Sequence, residues 1–204
     1  MNRHLTQKQV ITEFNKRASE KRGIIRVLSD RYSVQVNEEF DGVCKKLIKK
    51  YFPNKIKRVI DVGTGIGRLA KYFSKNSKEI IGVDFADKML LIAKKYLRNK
   101  KNITLILNDA ANINFLKNYF DLGIVSLILK HNSDKRTIKI INGLKKWCKY
   151  VLLIEHVSGG KRGSHVAIMR SESWYLKHFE PMKPITLHRI KRYKDNMIFC
   201  ILKK

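Results

Sequence analysis

An aspartate and three alternate glycines, Asp61-Val62-Gly63-Thr64-Gly65-Ile66-Gly67, run into Arg68 and form the stretch of this chain best suited to hold a ligand. Alternate glycines let a turn take backbone angles closed to other residues, and they leave no side chain between backbone and ligand. The spacing excludes two kinds of phosphate binder. A dinucleotide turn, G-x-G-x-x-G, would place its third glycine where this chain has Arg68, and no Gly-Lys-Ser/Thr closes a P-loop. Asp61, two positions ahead of the first glycine, would repel a pyrophosphate but not a cationic amino-acid group. The ligand expected here is zwitterionic.

Further polar residues recur at the ends of apolar runs. Asp84 ends Glu79–Asp84, 21 positions after Gly63, where an acid can accept hydrogen bonds from both hydroxyls of a ribose. It can also cap a helix over Ala86–Leu97; Asp87 can do that instead, which favours the ribose. Asp109 follows the run Ile103–Leu107. It is either a turn former or a carboxylate that reads an adenine amino group while the Ala110 N–H donates to the ring. Ser126 lies near the end of Phe120–Leu127, and His131 follows in Leu127-Ile128-Leu129-Lys130-His131. His131 suits a general base near neutral pH or an imidazole bonded to a helix start. Glu155 and His156 end the run Val151–Ile154, where titratable groups face the mouth of a site.

These residues need a frame that alternates strand and helix. Arg58–Val62 reads as the first strand and Ile66–Phe73 as the helix after the turn. Ahead of them, Gln7–Lys21 carries Val10, Ile11, Phe14 and Ala18 at helical spacing. Asn37–Tyr51 sets Phe40, Val43, Cys44, Leu47 and Ile48 in one apolar stripe and stops before Pro53. Ser133 or Asp134 caps a helix to about Lys146, and Ser171 caps another. Ile185–Tyr193 and Met197–Leu202, joined by Lys194-Asp195-Asn196, read as a terminal hairpin.

Composition bounds the rest. A chain of 204 residues with 44% hydrophobic content fits one domain with a proper core. No apolar run approaches a membrane span, and the amino terminus lacks a signal peptide's apolar core. Cys44, Cys148 and Cys200 are scattered, which fits a reducing cytoplasm and gives no metal spacing. Lysine and arginine total 44 against 17 acids, a net charge of +27. Lysine-rich coding bias and a polyanionic partner both account for that excess, and the basic clusters are spread along the whole chain.

From about Val59 to Val157 the motifs, in this order, resemble the class I S-adenosylmethionine-dependent methyltransferases. The resemblance implies a single Rossmann-like α/β domain. Its mostly parallel seven-stranded sheet has the order 3-2-1-4-5-7-6, with the last strand antiparallel and helices on both faces. Residues 1–52 would form a helical lid and 53–204 the core. The cofactor implied is S-adenosyl-L-methionine, with S-adenosyl-L-homocysteine as product and no metal. Asp61, Gly63, Thr64, Gly65, Gly67 and Arg68 would surround its methionine portion, Arg68 pairing with the carboxylate and Asp61 receiving the ammonium. Asp84 would hold the ribose, Phe85, Met89, Asp109 and Ala110 the adenine, and Ser126 and Leu127 would lie beneath the methionine. His131, Glu155 and His156 are the candidate bases. Tyr32 (a lid residue or a packing tyrosine), Lys130, Arg170 and Tyr175 are candidates for the acceptor side, with the basic loop Ser158–Ser164 shaping its pocket.

The activity implied is methyl transfer to an O or N atom of a small molecule or peptide. The basic charge motivates an RNA methyltransferase as the alternative, and a non-catalytic S-adenosylmethionine-binding or nucleic-acid-binding protein is the alternative of another class. The Asn-Pro-Pro-Tyr motif of many amino-methyltransferases is absent, which argues against that route to a flipped base.

Overall fold

A computed structural model of the chain describes residues 6–157 and 167–204; the Ser158–Ser164 loop and residues 1–5 lie outside them. Helices α1 (Gln7–Glu20) and α2 (Val34–Tyr51) precede the alternation β1 (Ile56–Val62), α3 (Arg68–Phe73), β2 (Ser77–Asp84), α4 (Asp87–Tyr96), β3 (Ile103–Leu107), β4 (Phe120–Ser126), α5 (Asp134–Trp147), β5 (Cys148–His156) and α6 (Glu172–Phe179). The hairpin β6 (Lys183–Arg192) and β7 (Asp195–Lys203) follows. The seven strands form one sheet in the order β3-β2-β1-β4-β5-β7-β6. All pairs are parallel except those of β7, which runs antiparallel to β5 and β6. This is the expected Rossmann-like methyltransferase topology.

Side-chain alternation along the strands divides the core between the two faces. Val151, Leu153, Ile198, Cys200 and Leu202 pack with Ile141, Leu144, Trp147 and Phe179 of α5 and α6. Their neighbours Leu152, Ile154, Phe199 and Ile201 face the other way, onto Phe40, Cys44 and Ile48 of α2 and Leu69 and Phe73 of α3. A strand buried on both faces must be apolar throughout, which is why β5 reads as a continuous run rather than an alternating one.

Several boundaries differ from the sequence expectation, each for a local reason. Helix α2 begins at Val34, not Asn37, because the Ser33 hydroxyl accepts from the Val36 N–H and caps it. Asn37 is instead buried, and its side-chain amide donates to the Ser29 carbonyl at 2.8 Å. Asp195 opens β7 and is fully buried, so the hairpin turn is Tyr193-Lys194 and not the triplet through Asn196. Arg192 holds it there with a 2.9 Å ion pair. Among the described residues no helix is long and apolar enough to cross a membrane.

Candidate functional site

Strand order reverses between β1 and β4: β1 leads on to β2 on one side, while β4 and β5 extend the sheet on the other. At such a break the connections diverge above the carboxyl ends of the strands and leave a crevice. A cleft of about 870 Å³, open to solvent, lies there. Asp61 and Gly63 reach it from the end of β1, Asp84 from β2, Asn108 and Asp109 from β3, and Ser126 from β4. Thr64, Gly65, Arg68, Phe85, Met89, Ala110, Leu127 and His131 complete the expected residues in its wall.

The glycine turn is shaped by its backbone. Gly63, Gly65 and Gly67 all have positive φ, at 71°, 54° and 79°. A Cβ on Gly63 would lie 2.3 Å from Ile128 Cγ2, and one on Gly65 2.5 Å from Val27 Cγ1, so side chains there would collide with the opposite wall. Gly67 departs from the expectation. It lines no part of the cleft, and its bare Cα accommodates Leu97 of the α4 terminus, 2.5 Å from a built Cβ. Leu127 also has positive φ, at 61°, a conformation that costs an L-residue about 1–2 kcal/mol. Its N–H is held by the Ile154 carbonyl at 2.8 Å.

Three carboxylates converge on this cleft in three different environments. Asp109 is gripped by Arg136 at 2.7 Å and by the Gln7 amide at 2.8 Å. Burial works against its ionisation, but Arg136, the Ala111 N–H and Gln7 together hold it below the usual carboxylate range. Asp84 accepts the Gly65 N–H at 2.7 Å on one oxygen and the Ala86 N–H at 2.9 Å on the other. Burial raises its pKa, with those two N–H groups opposing. Asp61 is 2% exposed and accepts the Thr64 hydroxyl at 2.8 Å. Burial pushes it up to about 6, against the Thr64 hydroxyl and the nearby Arg68 charge.

That rise has a stability consequence. The folded state holds the Asp61 proton more tightly than the unfolded chain does. Stability present below the unfolded value is therefore lost as pH rises through the folded one, by about 3 kcal/mol for a rise of about two pH units. Asp61→Asn is expected to stabilise the free protein by about 1–3 kcal/mol at pH 7.5 and to flatten its stability between pH 4 and 7. Urea unfolding across that range reads both effects, and a less stable variant at pH 7.5 refutes the assignment.

A second cavity of about 530 Å³ adjoins the first and shares Phe14, Val27, Leu28, Leu127 and His131 with it. Its remaining wall is basic, with Arg17, Arg31, Lys130, His156 and Arg192 beside Asp30. Behind it the buried Asp195 is shared by Arg192 at 2.9 Å, His156 Nε2 at 3.1 Å and Arg31 at 3.6 Å. Burial opposes its ionisation, yet bonds from His156 and Arg192 hold it far below the ordinary value. Tyr32 lines neither cavity; it stands edge-on to Tyr193, under the guanidinium of Arg192.

Glu155, Arg170 and Tyr175 are not brought into either cavity. Glu155 is fully buried and accepts the N–H groups of Leu129 and His156, both at 2.9 Å. Arg170 donates to the carbonyls of Leu129 and Asn132 at 3.0 and 2.7 Å and to Asp134 at 2.8 Å. Tyr175 packs fully buried beneath it. Together they brace the segment that carries Lys130 and His131. Arg170→Met should therefore cost about 2–3 kcal/mol in urea unfolding, since it removes charged hydrogen bonds to two carbonyls that would keep only the Asn132 N–H and the Thr137 hydroxyl. A loss below about 1 kcal/mol contradicts this role.

Arg68 reaches the cleft already bonded to Asp41 of α2, which Lys45 also pairs at 2.6 Å. Sequence reasoning missed Asp41, Gln7, Arg136, Ile128 and the arginines of the second cavity, Arg17, Arg31 and Arg192, while naming its Lys130 and His156. Asp41, Gln7 and Arg136 meet partners 27, 102 and 27 positions away, so no local pattern marks them.

Comparisons with known proteins match the chain to a domain and a fold. Residues 59–150 match the family model described as a methyltransferase domain. The chain is 25% identical over 93 residues to phosphoethanolamine N-methyltransferase 1 of Caenorhabditis elegans, covering 46% of this chain and 20% of that protein. It is 27% identical over 116 residues to ribosomal RNA small subunit methyltransferase A of Clostridium botulinum, covering 50% and 42%. Among solved structures, the N-methyltransferase NodS of Bradyrhizobium japonicum, in complex with S-adenosyl-l-homocysteine, superposes with a TM-score of 0.75 at 11% identity, covering 95% of this chain and 97% of that one. The chain spans about half or less of the length of the curated relatives it matches.

Proposed function

From the match of residues 59–150 to a methyltransferase domain, we propose that the chain is a class I S-adenosylmethionine-dependent methyltransferase that binds S-adenosylmethionine in the larger cleft and methylates an O or N nucleophile of a small-molecule or peptide acceptor in the smaller one. One observation carries the reading: Asp61, Asp84 and Asp109 line a single cleft around a side-chain-free turn at the β1/β4 break. The cleft fits the cofactor on a further count. Ser126 Oγ is buried in its wall with no hydrogen-bond partner in the protein, an arrangement that a polar ligand relieves.

In this reading Asp84 accepts from the ribose, Asp109 takes the adenine amino group in place of the Gln7 or Asn112 amide while the Ala110 N–H donates to the ring, and Phe85 and Met89 pack against the base. Asp61 and the turn receive the ammonium, and Asp61 at its raised pKa gains most from a cation. Arg68, held by Asp41, offers its remaining donors to the carboxylate. Bound there, the cofactor supplies a methyl group already activated by its sulfonium for in-line attack.

The chain's own contribution is to position the acceptor and take its proton. Holding two reactants in line can supply much of the acceleration. His131 lines both cavities and so stands at their junction, which makes it the general base of this proposal. Glu155 braces the segment instead, and His156 faces Asp195 and the Met169 sulfur. Helix α1 and residues 23–31 form the cover proposed for residues 1–52: Phe14, Val27 and Leu28 close both cavities from that side and limit water.

The test is transfer of a labelled methyl from S-adenosylmethionine into fractionated cell extract. Label in the small-molecule or peptide fraction supports the reading, and label in none contradicts it. Label in RNA supports the second reading, which the +27 charge favours. RNA affinity must then fall steeply with salt.

A further inference from the structure

Resting on that reading of the two cavities, we propose that the acceptor carries an anionic group, a phosphate or a carboxylate, held in the smaller cavity by Lys130 and Arg192. Arg192 is 2% exposed and lines this cavity. One of its nitrogens pairs with Asp195, while Nε and Nη1 are buried with no hydrogen-bond partner. A buried guanidinium with two idle donors is an incomplete structure, because a buried donor left unmet loses its hydration without replacement. Lys130 supplies a second unmatched charge. Among the described residues neither Lys130 nor Arg17 has a carboxylate within ion-pair distance.

The acids nearby do not neutralise this wall. Asp195 gives its single charge to Arg31, Arg192 and His156 together. Asp30 is drawn to Lys21 at 3.6 Å, and Glu155 spends its oxygens on backbone N–H groups. Burial accordingly lowers the Lys130 amine to about 8, with Glu155 only partly offsetting it. An anion entering the cavity would meet a planar, largely buried fork and a point charge, a pairing that makes strong charge-assisted hydrogen bonds. Lys130 is adjacent to His131 in the chain, so an acceptor anchored by its anion is brought to the junction where the proton is removed.

The experiment is calorimetric titration of inorganic phosphate and, separately, of acetate into the protein saturated with S-adenosylhomocysteine. Saturable binding of either anion is expected, about tenfold or more weaker in Lys130→Met, with S-adenosylhomocysteine affinity unchanged within about twofold. Phosphate alone assigns a phosphorylated acceptor; acetate alone assigns a carboxylate. A measurement on the unaltered protein guards against a misfolded variant: phosphate or acetate should shield Lys130 from an amine acylating reagent, mapped by mass spectrometry. Failure of both anions to bind, or binding that Lys130→Met leaves unchanged, overturns the proposal. So does displacement of the anion by S-adenosylhomocysteine, which would give these cations to the donor's carboxylate. Anion binding without any S-adenosylhomocysteine binding would instead remove the donor reading on which the acceptor role rests.

Discussion

Asp84→Asn is expected to weaken binding of S-adenosylhomocysteine about a hundredfold. The carboxylate works at both ends: its oxygens fix the Gly65 and Ala86 N–H groups at 2.7 and 2.9 Å, and its remaining lone pairs face the cleft. An asparagine keeps one acceptor and turns an amide donor towards a backbone donor, while losing the charge that strengthens a ribose hydroxyl bond. Bonds to charged groups contribute about 1.5–3 kcal/mol each, so losing one gives a factor of about ten to a few hundred. Asp87 is the internal control. It lies in the first turn of α4, bonded at 2.6 Å to the Asn15 amide, and Asp87→Asn should leave affinity within about twofold. Calorimetry on the two variants separates the loss of this carboxylate from the loss of an acid at the same helix start that caps no N–H. Equal affinities for Asp84→Asn and the parent protein would remove Asp84 from the site.

Gly63→Ala should cost both stability and affinity. At φ 71° an alanine is strained by about 1–2 kcal/mol, and its methyl would meet Ile128 Cγ2 at 2.3 Å. We expect a loss of about 2–4 kcal/mol in urea unfolding, together with a drop of about a hundredfold in S-adenosylhomocysteine affinity. The two effects have separate causes, so a second substitution can split them. Ile128→Ala opens space for the new methyl, and the double variant should recover part of the stability. Affinity should stay low, because the methyl still occupies ligand space. Coincident recovery of both would mean that Gly63 serves packing alone, as Gly67 does.

The contrast between Gly63 and Gly67 marks how far the sequence reads through to the site. Both glycines have positive φ and share one motif, yet one faces the cleft and the other meets Leu97. Spacing reveals the turn but not which neighbour each bare Cα accommodates. The fold was legible because its determinants are local: apolar runs of strand length, capping serines at 133 and 171, and a glycine turn between β1 and α3. The three carboxylates were legible for the same reason, each standing at a strand's carboxyl end. Partners of high sequence separation were not. The cluster around Asp195 exists because β7 lies antiparallel beside β5, bringing Asp195 within 3.1 Å of His156, and because the chain near Arg31 folds across it. A polar residue in an apparent hairpin turn gives no local sign of burial. Glu155 stands as a site residue in the sequence by its strand-end position and Arg170 by the family resemblance; their hydrogen bonds brace the 129–134 segment from behind.

The account stands most directly on where the nucleoside binds. A crystal grown with S-adenosylhomocysteine should show one molecule in the cleft above β1 and β4, its ribose hydroxyls on Asp84 and its adenine beside Asp109 and Ala110. A crystal with the ligand absent from that cleft at saturating concentration, or seated elsewhere on the chain, would contradict it.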